Sequence, residues 1–301
     1  MFIVKLIVAG GAWTLCAGQL NQAWIQKRDL PEARIFEVAT SIGDRILAIT
    51  SGEDGKPGTE VFEYDAASDV WTRRAHANLI RHSFGAGVAD GKIFIWGGIA
   101  GGKLTPSTEM YDPKTGAWTT RTPMLEPRMF AKGAEVAGKL YAVGGIQPPG
   151  RNQVPLLHEY DPKTDTWSAK ASMPEKRDAY RVAAVNGRVY VIGNLSGSSR
   201  VLEYTPATDR WATRSSMPTP RFDFGIHASR ALIYTFGGMG NREVEIYDPA
   251  ADRWMAKGLM PRNNWCQVLA ESHGKIYMIG GGFPAPDVIR TVYEYDPALD
   301  K

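Results

Sequence analysis

Short apolar runs of four or five residues recur along the chain, each rich in β-branched or aromatic side chains and each closed by glycine, as in Ile93 to Trp96 before Gly97-Gly98 and Ile276 to Ile279 before Gly280-Gly281. Runs of this length with such ends predict buried strands, not helices. Before each run stands a turn, marked by Gly91, Gly138, Gly187 and Gly274, with Asp44 and Ala231 in the same position of the two remaining copies. Asp90-Gly91 and Asn186-Gly187 are dipeptides that suit a two-residue hairpin, because both central residues need positive φ. After each run comes a tyrosine, followed by Asp-Pro at Asp112-Pro113, Asp161-Pro162, Asp248-Pro249 and Asp296-Pro297, where proline presets φ for a type I turn.

The recurrence is strict. Tyr64, Tyr111, Tyr160, Tyr204 and Tyr247 are each followed seven residues later by Trp71, Trp118, Trp167, Trp211 and Trp254; Tyr295 lacks such a partner, whereas Trp24 stands unpaired near the start. Ten residues beyond each Trp lies Arg34, Arg81, Arg128, Arg177 or Arg221, with Asn264 as the sixth member. The glycine pair, or Thr50-Ser51 and Gly193-Asn194 in its place, falls 26 residues after every Trp. Self-similarity at 43 to 49 residues with four strands per unit predicts a radial array, since one such sheet cannot cover both its faces without neighbours. The expected fold is all-β: a six-bladed β-propeller of four-stranded blades, closed by a strand around Trp24 that joins the C-terminal blade.

Double glycine, Tyr-Asp, Trp and Arg recurring in phase from Trp24 to Lys301 resembles the Kelch-repeat family. Blade 1 departs from the pattern at Thr50-Ser51 and blade 6 at Asn264. The resemblance implies a recognition propeller that binds a peptide, protein or acidic glycan, with arginines reading acidic groups. A ubiquitin-ligase adaptor reading finds no oligomerisation or ligase-binding region ahead of the repeats.

Charge and composition narrow the partners. With 35 Lys+Arg against 32 Asp+Glu the formal charge is +3, which offers no basic field for a nucleic-acid backbone. Cys16 and Cys266 are the two cysteines, too few for a disulfide framework or a cysteine-rich zinc site. Residues 1–18 combine an early Lys5, an apolar stretch from Leu6 to Leu15 and small residues at Ala17 and Gly18, which reads as a secretory signal peptide. The expected domains are therefore that leader and a single propeller over 19–301. The mature protein is expected to be secreted or periplasmic, without stable membrane insertion. A competing reading takes Lys5 to Gly11 as a remnant strand, similar to Lys92 to Gly98.

All length variation falls between the glycine position and the repeat tyrosine: 14, 14, 16, 11, 10 and 15 residues. That loop shares a face of the propeller with the connection carrying the repeat arginines. A fixed scaffold with variable loops places function on that face. The candidate ligand-binding residues are Arg34, Arg81, His82, Arg128, Phe130, Arg177, Asp178, Tyr180, Arg221, Asp223 and Trp265, with Phe36, Phe222 and Phe224 beside them. A repeat arginine could instead pair with a backbone carbonyl of a neighbouring blade. The recurring Tyr and Trp rings are read as inter-blade filling. Lys132, Glu135, Arg181 and His227 interrupt the small apolar inner strands and are expected to line a wet channel.

No catalytic residue and no cofactor is assigned. His76, His82, His158, His227 and His273 are scattered over the blades without the Tyr-His pairing of copper-oxidase propellers, and HExxH, GxSxG, P-loop and CxxC motifs are absent. The alternative reading is a carbohydrate isomerase similar to the sialic acid epimerases. It would set Glu37, Glu135, Asp178 or Asp223 as acid-base beside Arg81 or Arg128 as carboxylate-binding cation.

Overall fold

The computed structural model describes residues 22–52, 58–149, 152–195, 199–282 and 289–300. Within them lie six four-stranded antiparallel sheets and two short hairpins, and no helix. Residues 1–18, and with them the leader reading, lie outside the described residues.

The blades follow chain order. Blade 1 comprises Phe36–Ile42, Arg45–Thr50, Glu60–Asp65 and Val70–His76. Blade 2 comprises Gly85–Ala89, Lys92–Trp96, Thr108–Asp112 and Ala117–Arg121. Blade 3 has Lys132–Val136, Lys139–Val143, Leu157–Asp161 and Thr166–Lys170, and blade 4 has Arg181–Val185, Arg188–Ile192, Val201–Thr205 and Arg210–Arg214. Blade 5 has Gly225–Ser229, Leu232–Phe236, Glu243–Asp248 and Arg253–Leu259. Blade 6 has Val268–Ser272, Lys275–Ile279 and Val292–Tyr295, and takes its outer strand, Trp24–Lys27, from the other end of the chain. Trp24 pairs with Tyr295 in the register that pairs Trp71 with Tyr64 and Trp118 with Tyr111, so the ring closes as the spacing predicts.

In blades 2 to 6 the hairpin between first and second strands turns on two residues of positive φ, including Asp90-Gly91 and Asn186-Gly187, whereas in blade 1 Gly43 alone of Gly43-Asp44 has positive φ. Side chains of one face alternate with the other along each strand, and each apolar face meets the next blade. The core is accordingly six wedges rather than one centre. One cluster joins Leu47, Ile49 and Val61 of blade 1 to Phe84, Ile93 and Tyr111 at blade 2. Equivalent clusters fill the junctions of blades 2 and 3, 3 and 4, 4 and 5, 5 and 6, and 6 and 1.

The Tyr and Trp rings stack within blades at centroid distances of 4.7–5.2 Å. Their polar ends tie blades together through an aspartate five residues after the tyrosine. Tyr64, Tyr160, Tyr204 and Tyr247 donate from the hydroxyl to Asp69, Asp165, Asp209 and Asp252 at 2.6–2.7 Å. Those carboxylates accept the backbone N–H of Arg28, Thr122, Ala171 and Ser215 in the preceding blade's outer segment. The carbonyls of the same four residues accept from Trp71, Trp167, Trp211 and Trp254.

Candidate functional site

The repeat arginines are drawn inward by the polar groups of the blade each one enters. Arg81 donates to the carbonyls of Gly97 (3.2 Å) and Ser107 (2.8 Å) and pairs with Glu109. Arg221 repeats this with Gly237 (3.0 Å), Glu243 (2.8 Å) and Glu245. Arg34 holds Ser51, Gly58 and Glu60, and Arg177 holds Val191, Gly193 and Glu175. Arg128 reaches the carbonyl of Ala142 at 3.4 Å. Asn264 substitutes by donating to Gly280 at 2.8 Å. Arg81 and Arg128 are 0% exposed, Arg177 1% and Arg221 3%.

These positions correct the expectation that the five guanidinium groups face a ligand. They brace the start of each blade, and the carbonyls they hold belong to that blade rather than to its neighbour. The pairing of a carboxylate with Arg81 or Arg128 at the channel mouth is corrected with it. Burial without compensating water requires such partners, and an arginine fork satisfies several carbonyls at once.

The residue immediately after each arginine is the one brought to the face. Its backbone is fastened to the variable loop in every blade. Ser51 N–H donates to Ile35, Ile99 exchanges two bonds with His82, and Ile146 exchanges two with Met129. Leu195, Met239 and Gly282 donate to Asp178, Phe222 and Trp265. The rim is thus formed by Ile35, His82, Met129, Asp178, Phe222 and Trp265. His82, Phe222 and Trp265 are partly exposed, and Leu195 and Met239 on the adjoining loops are 50% and 52% exposed.

One residue further on, Ser83, Phe130, Ala179, Asp223 and Cys266 adopt φ of 52–56°. A left-handed conformation in non-glycine residues costs about 1–2 kcal/mol each. It turns the chain into the inner strand and starts a hydrogen-bonded ring around the mouth. Phe130 N–H donates to Ser83, and Cys266 N–H donates to Asp223 at 2.8 Å. Glu37 takes the equivalent role in blade 1, its carboxylate accepting Ser83 N–H at 2.8 Å and the Ser51 hydroxyl at 3.1 Å.

Inside this ring four charges from four blades converge: Glu37, Lys132, Arg181 and Asp223. Arg181 donates to the Phe224 carbonyl at 2.7 Å and meets Asp223 at 3.3 Å. Lys132 lies 5.6 Å above the Phe130 ring, a cation–π arrangement. Burial, and then the neighbouring Arg181, hold the Lys132 ammonium below the usual lysine range. Burial and the adjacent Asp223 push the Cys266 thiol up to about 11, so it is a protonated wall and not a nucleophile at neutral pH.

Of the other candidates, Phe36 and Phe224 are core, and Tyr180 is 3% exposed with its hydroxyl donating to the carbonyl of Val143 at 2.7 Å. Asp178 caps the N–H of Ala179 at 2.8 Å. Glu135 lies at the opposite, hairpin end of its strand, where it accepts the N–H of Gly138. His227 pairs with Glu271 across blades 5 and 6 at 3.2 Å. Among the described residues no group of three or more His, Cys, Asp or Glu side chains is placed to hold a metal ion.

A profile of the Kelch motif matches residues 80–125 and 127–174, the segments spanning blades 2 and 3. The chain is similar to Kelch-like protein 40 of Mus musculus, 32% identical over 132 residues, which is 44% of this chain and 21% of that protein. It is also similar to an F-box/kelch-repeat protein of Arabidopsis thaliana, 32% identical over 87 residues, 29% of this chain and 23% of that protein. The matched segment thus spans about a fifth of the length of these relatives. Among solved structures, that of YjhT superposes with a TM-score of 0.73 at 15% identity, covering 88% of this chain and 95% of the other. At that identity the likeness is one of fold.

Proposed function

Because the chain belongs to the Kelch-repeat family, we propose that it is a recognition module whose variable-loop face binds a protein partner. The observation that carries this reading is the mouth itself. Charges from four blades meet there inside a partly exposed rim of His82, Phe222 and Trp265, with Leu195 and Met239 beside it. Aromatic anchors around a recessed cation are the composition of binding hot spots, and a carboxylate of the partner would find Lys132 as its counter-charge. Nucleic acid fits poorly with a chain of formal charge +3 whose cations at the mouth are balanced by Glu37 and Asp223.

A second reading, a carbohydrate isomerase acting on an acidic sugar, draws on the same carboxylates. Its difficulty is chemical. Glu37 already accepts two hydrogen bonds and Asp223 is tied to Arg181, so neither is free to shuttle a proton without rearrangement. Export of the protein after cleavage near Gly18 completes the proposal, and the intact mass of the mature chain tests it.

A combined peptide and glycan array, probed with wild type, Lys132→Met and Trp265→Ala, tests the function. Loss of a charge-assisted contact is worth about 1.5–3 kcal/mol, roughly a 10- to 100-fold loss of affinity for acidic peptides in Lys132→Met. Melting temperatures should stay close to wild type, since Lys132 pairs with no acidic side chain among the described residues. Unchanged binding in both variants would overturn the mouth as the site. Exclusive binding of acidic sugars, with exchange of their anomers by NMR, would favour the isomerase.

A further inference from the structure

The repeat arginines act as controls for one another, and one of them is short of partners. Arg34, Arg81, Arg177 and Arg221 each pair with a glutamate: Glu60, Glu109, Glu175 and Glu245. In blade 3 the position of Glu109 and Glu245 is occupied by His158. The register is the same: Glu109 lies opposite Ile95, Glu245 opposite Thr235 and His158 opposite Ala142, two residues before the glycine pair in each blade. Among the described residues no carboxylate stands within ion-pair distance of Arg128. Glu126 acts on it only through space and accepts instead from Gln147.

The consequence is visible atom by atom. Arg128 is 0% exposed, and its Nε and Nη1 have no hydrogen-bond partner, while Nη2 reaches Ala142 at 3.4 Å. Nε is also unpartnered in Arg81 and Arg221, but Nη1 is unpartnered in Arg128 alone of the five. His158 is 2% exposed and its Nδ1 is unpartnered as well. Burial, followed by the charge of Arg128, lowers His158 to about 4, so the imidazole is neutral near pH 7. Burial lowers Arg128 to about 10, which leaves it charged. Blade 3 therefore encloses one net positive charge with unused N–H donors. An uncompensated buried charge is among the costliest features a fold can carry.

We propose that Arg128 and His158 bind a small monovalent anion of the halide class inside blade 3, which serves Arg128 as the glutamate serves its counterparts. A divalent or bulky oxyanion is disfavoured, because one cation and a neutral imidazole cannot balance two negative charges in a dry interior. The site lies behind the face proposed for partner binding and stands independently of it.

Bromide is the direct probe. Wild-type crystals soaked in bromide should show an anomalous peak between the Arg128 guanidinium and His158, and His158→Glu crystals, which carry their own carboxylate there, should show none. In solution, wild type should melt about 3 °C higher in chloride than in gluconate at equal ionic strength. That increment should vanish in His158→Glu, which should also melt above wild type in gluconate. Absence of the bromide peak from wild type, or an equal chloride increment in both proteins, would overturn the proposal and leave Arg128 satisfied by buried water.

Discussion

A residue repeated in every blade can be repeated for binding or for bracing, and the arginines show how burial decides between them. Arg81 and Glu109 are both essentially sealed, with side-chain exposures of 0% and 2%. Removing one partner of such a pair strands the other charge, at a cost of about 3–5 kcal/mol. Glu109→Gln is therefore expected to lower stability by that amount in urea unfolding while leaving peptide affinity of the folded protein unchanged. Full stability combined with weakened binding would return Arg81 to the ligand site. The distinction was not legible in sequence because the acidic partners keep no common offset: Glu60 stands four residues before its tyrosine, Glu109 and Glu245 two before theirs, and Glu175 lies two before its own arginine.

At the level of the blade, spacing was an accurate guide, since strands, turns and ring stacking all follow from the Trp, Arg, glycine and Tyr intervals. What it missed is the aspartate five residues after the tyrosine, hidden among the acidic residues of a turn already explained by Asp-Pro. Blade 2 shows what that residue contributes by lacking it. Gly116 replaces the aspartate, and Trp118 Nε1 is buried without a partner, so the junction with blade 1 loses both ties that blades 1, 3, 4 and 5 make; in blade 6 Trp24 Nε1 is unpartnered too, but Tyr295 keeps its aspartate, Asp300. Gly116 has φ of +72° and nothing within 4 Å of a built Cβ, while four of the five aspartates at its position, Asp69, Asp165, Asp209 and Asp252, hold φ of 48–56°. Gly116→Asp is expected to give the Tyr111 hydroxyl an acceptor and to raise stability by about 1 kcal/mol, read as a higher melting temperature. An unchanged or lower melting temperature would show that the bulged outer strand of blade 1 presents no matching amide.

For the whole ring, the decisive contact is the one between the chain's two ends. An open propeller would expose the edge of Val292–Tyr295 and strip the last wedge of its largest side chain. Trp24 is 6% exposed and lies 4.7 Å from the Tyr295 ring, 5.9 Å from Phe236 of blade 5 and 6.3 Å from Tyr293. It therefore binds blade 5 as well as blade 6. Large-to-small replacement at such a site costs about 3–5 kcal/mol. Because every blade leans on two others, that cost should fall on the ring as a unit: Trp24→Ala should unfold in one transition at lower denaturant rather than shed a single blade. Hydrogen exchange should then quicken in Lys275–Ile279 and Leu232–Phe236 together. Faster exchange confined to Val292–Tyr295, with the rest of the ring at wild-type protection, would mean that the closing strand only covers an edge and does not couple the blades.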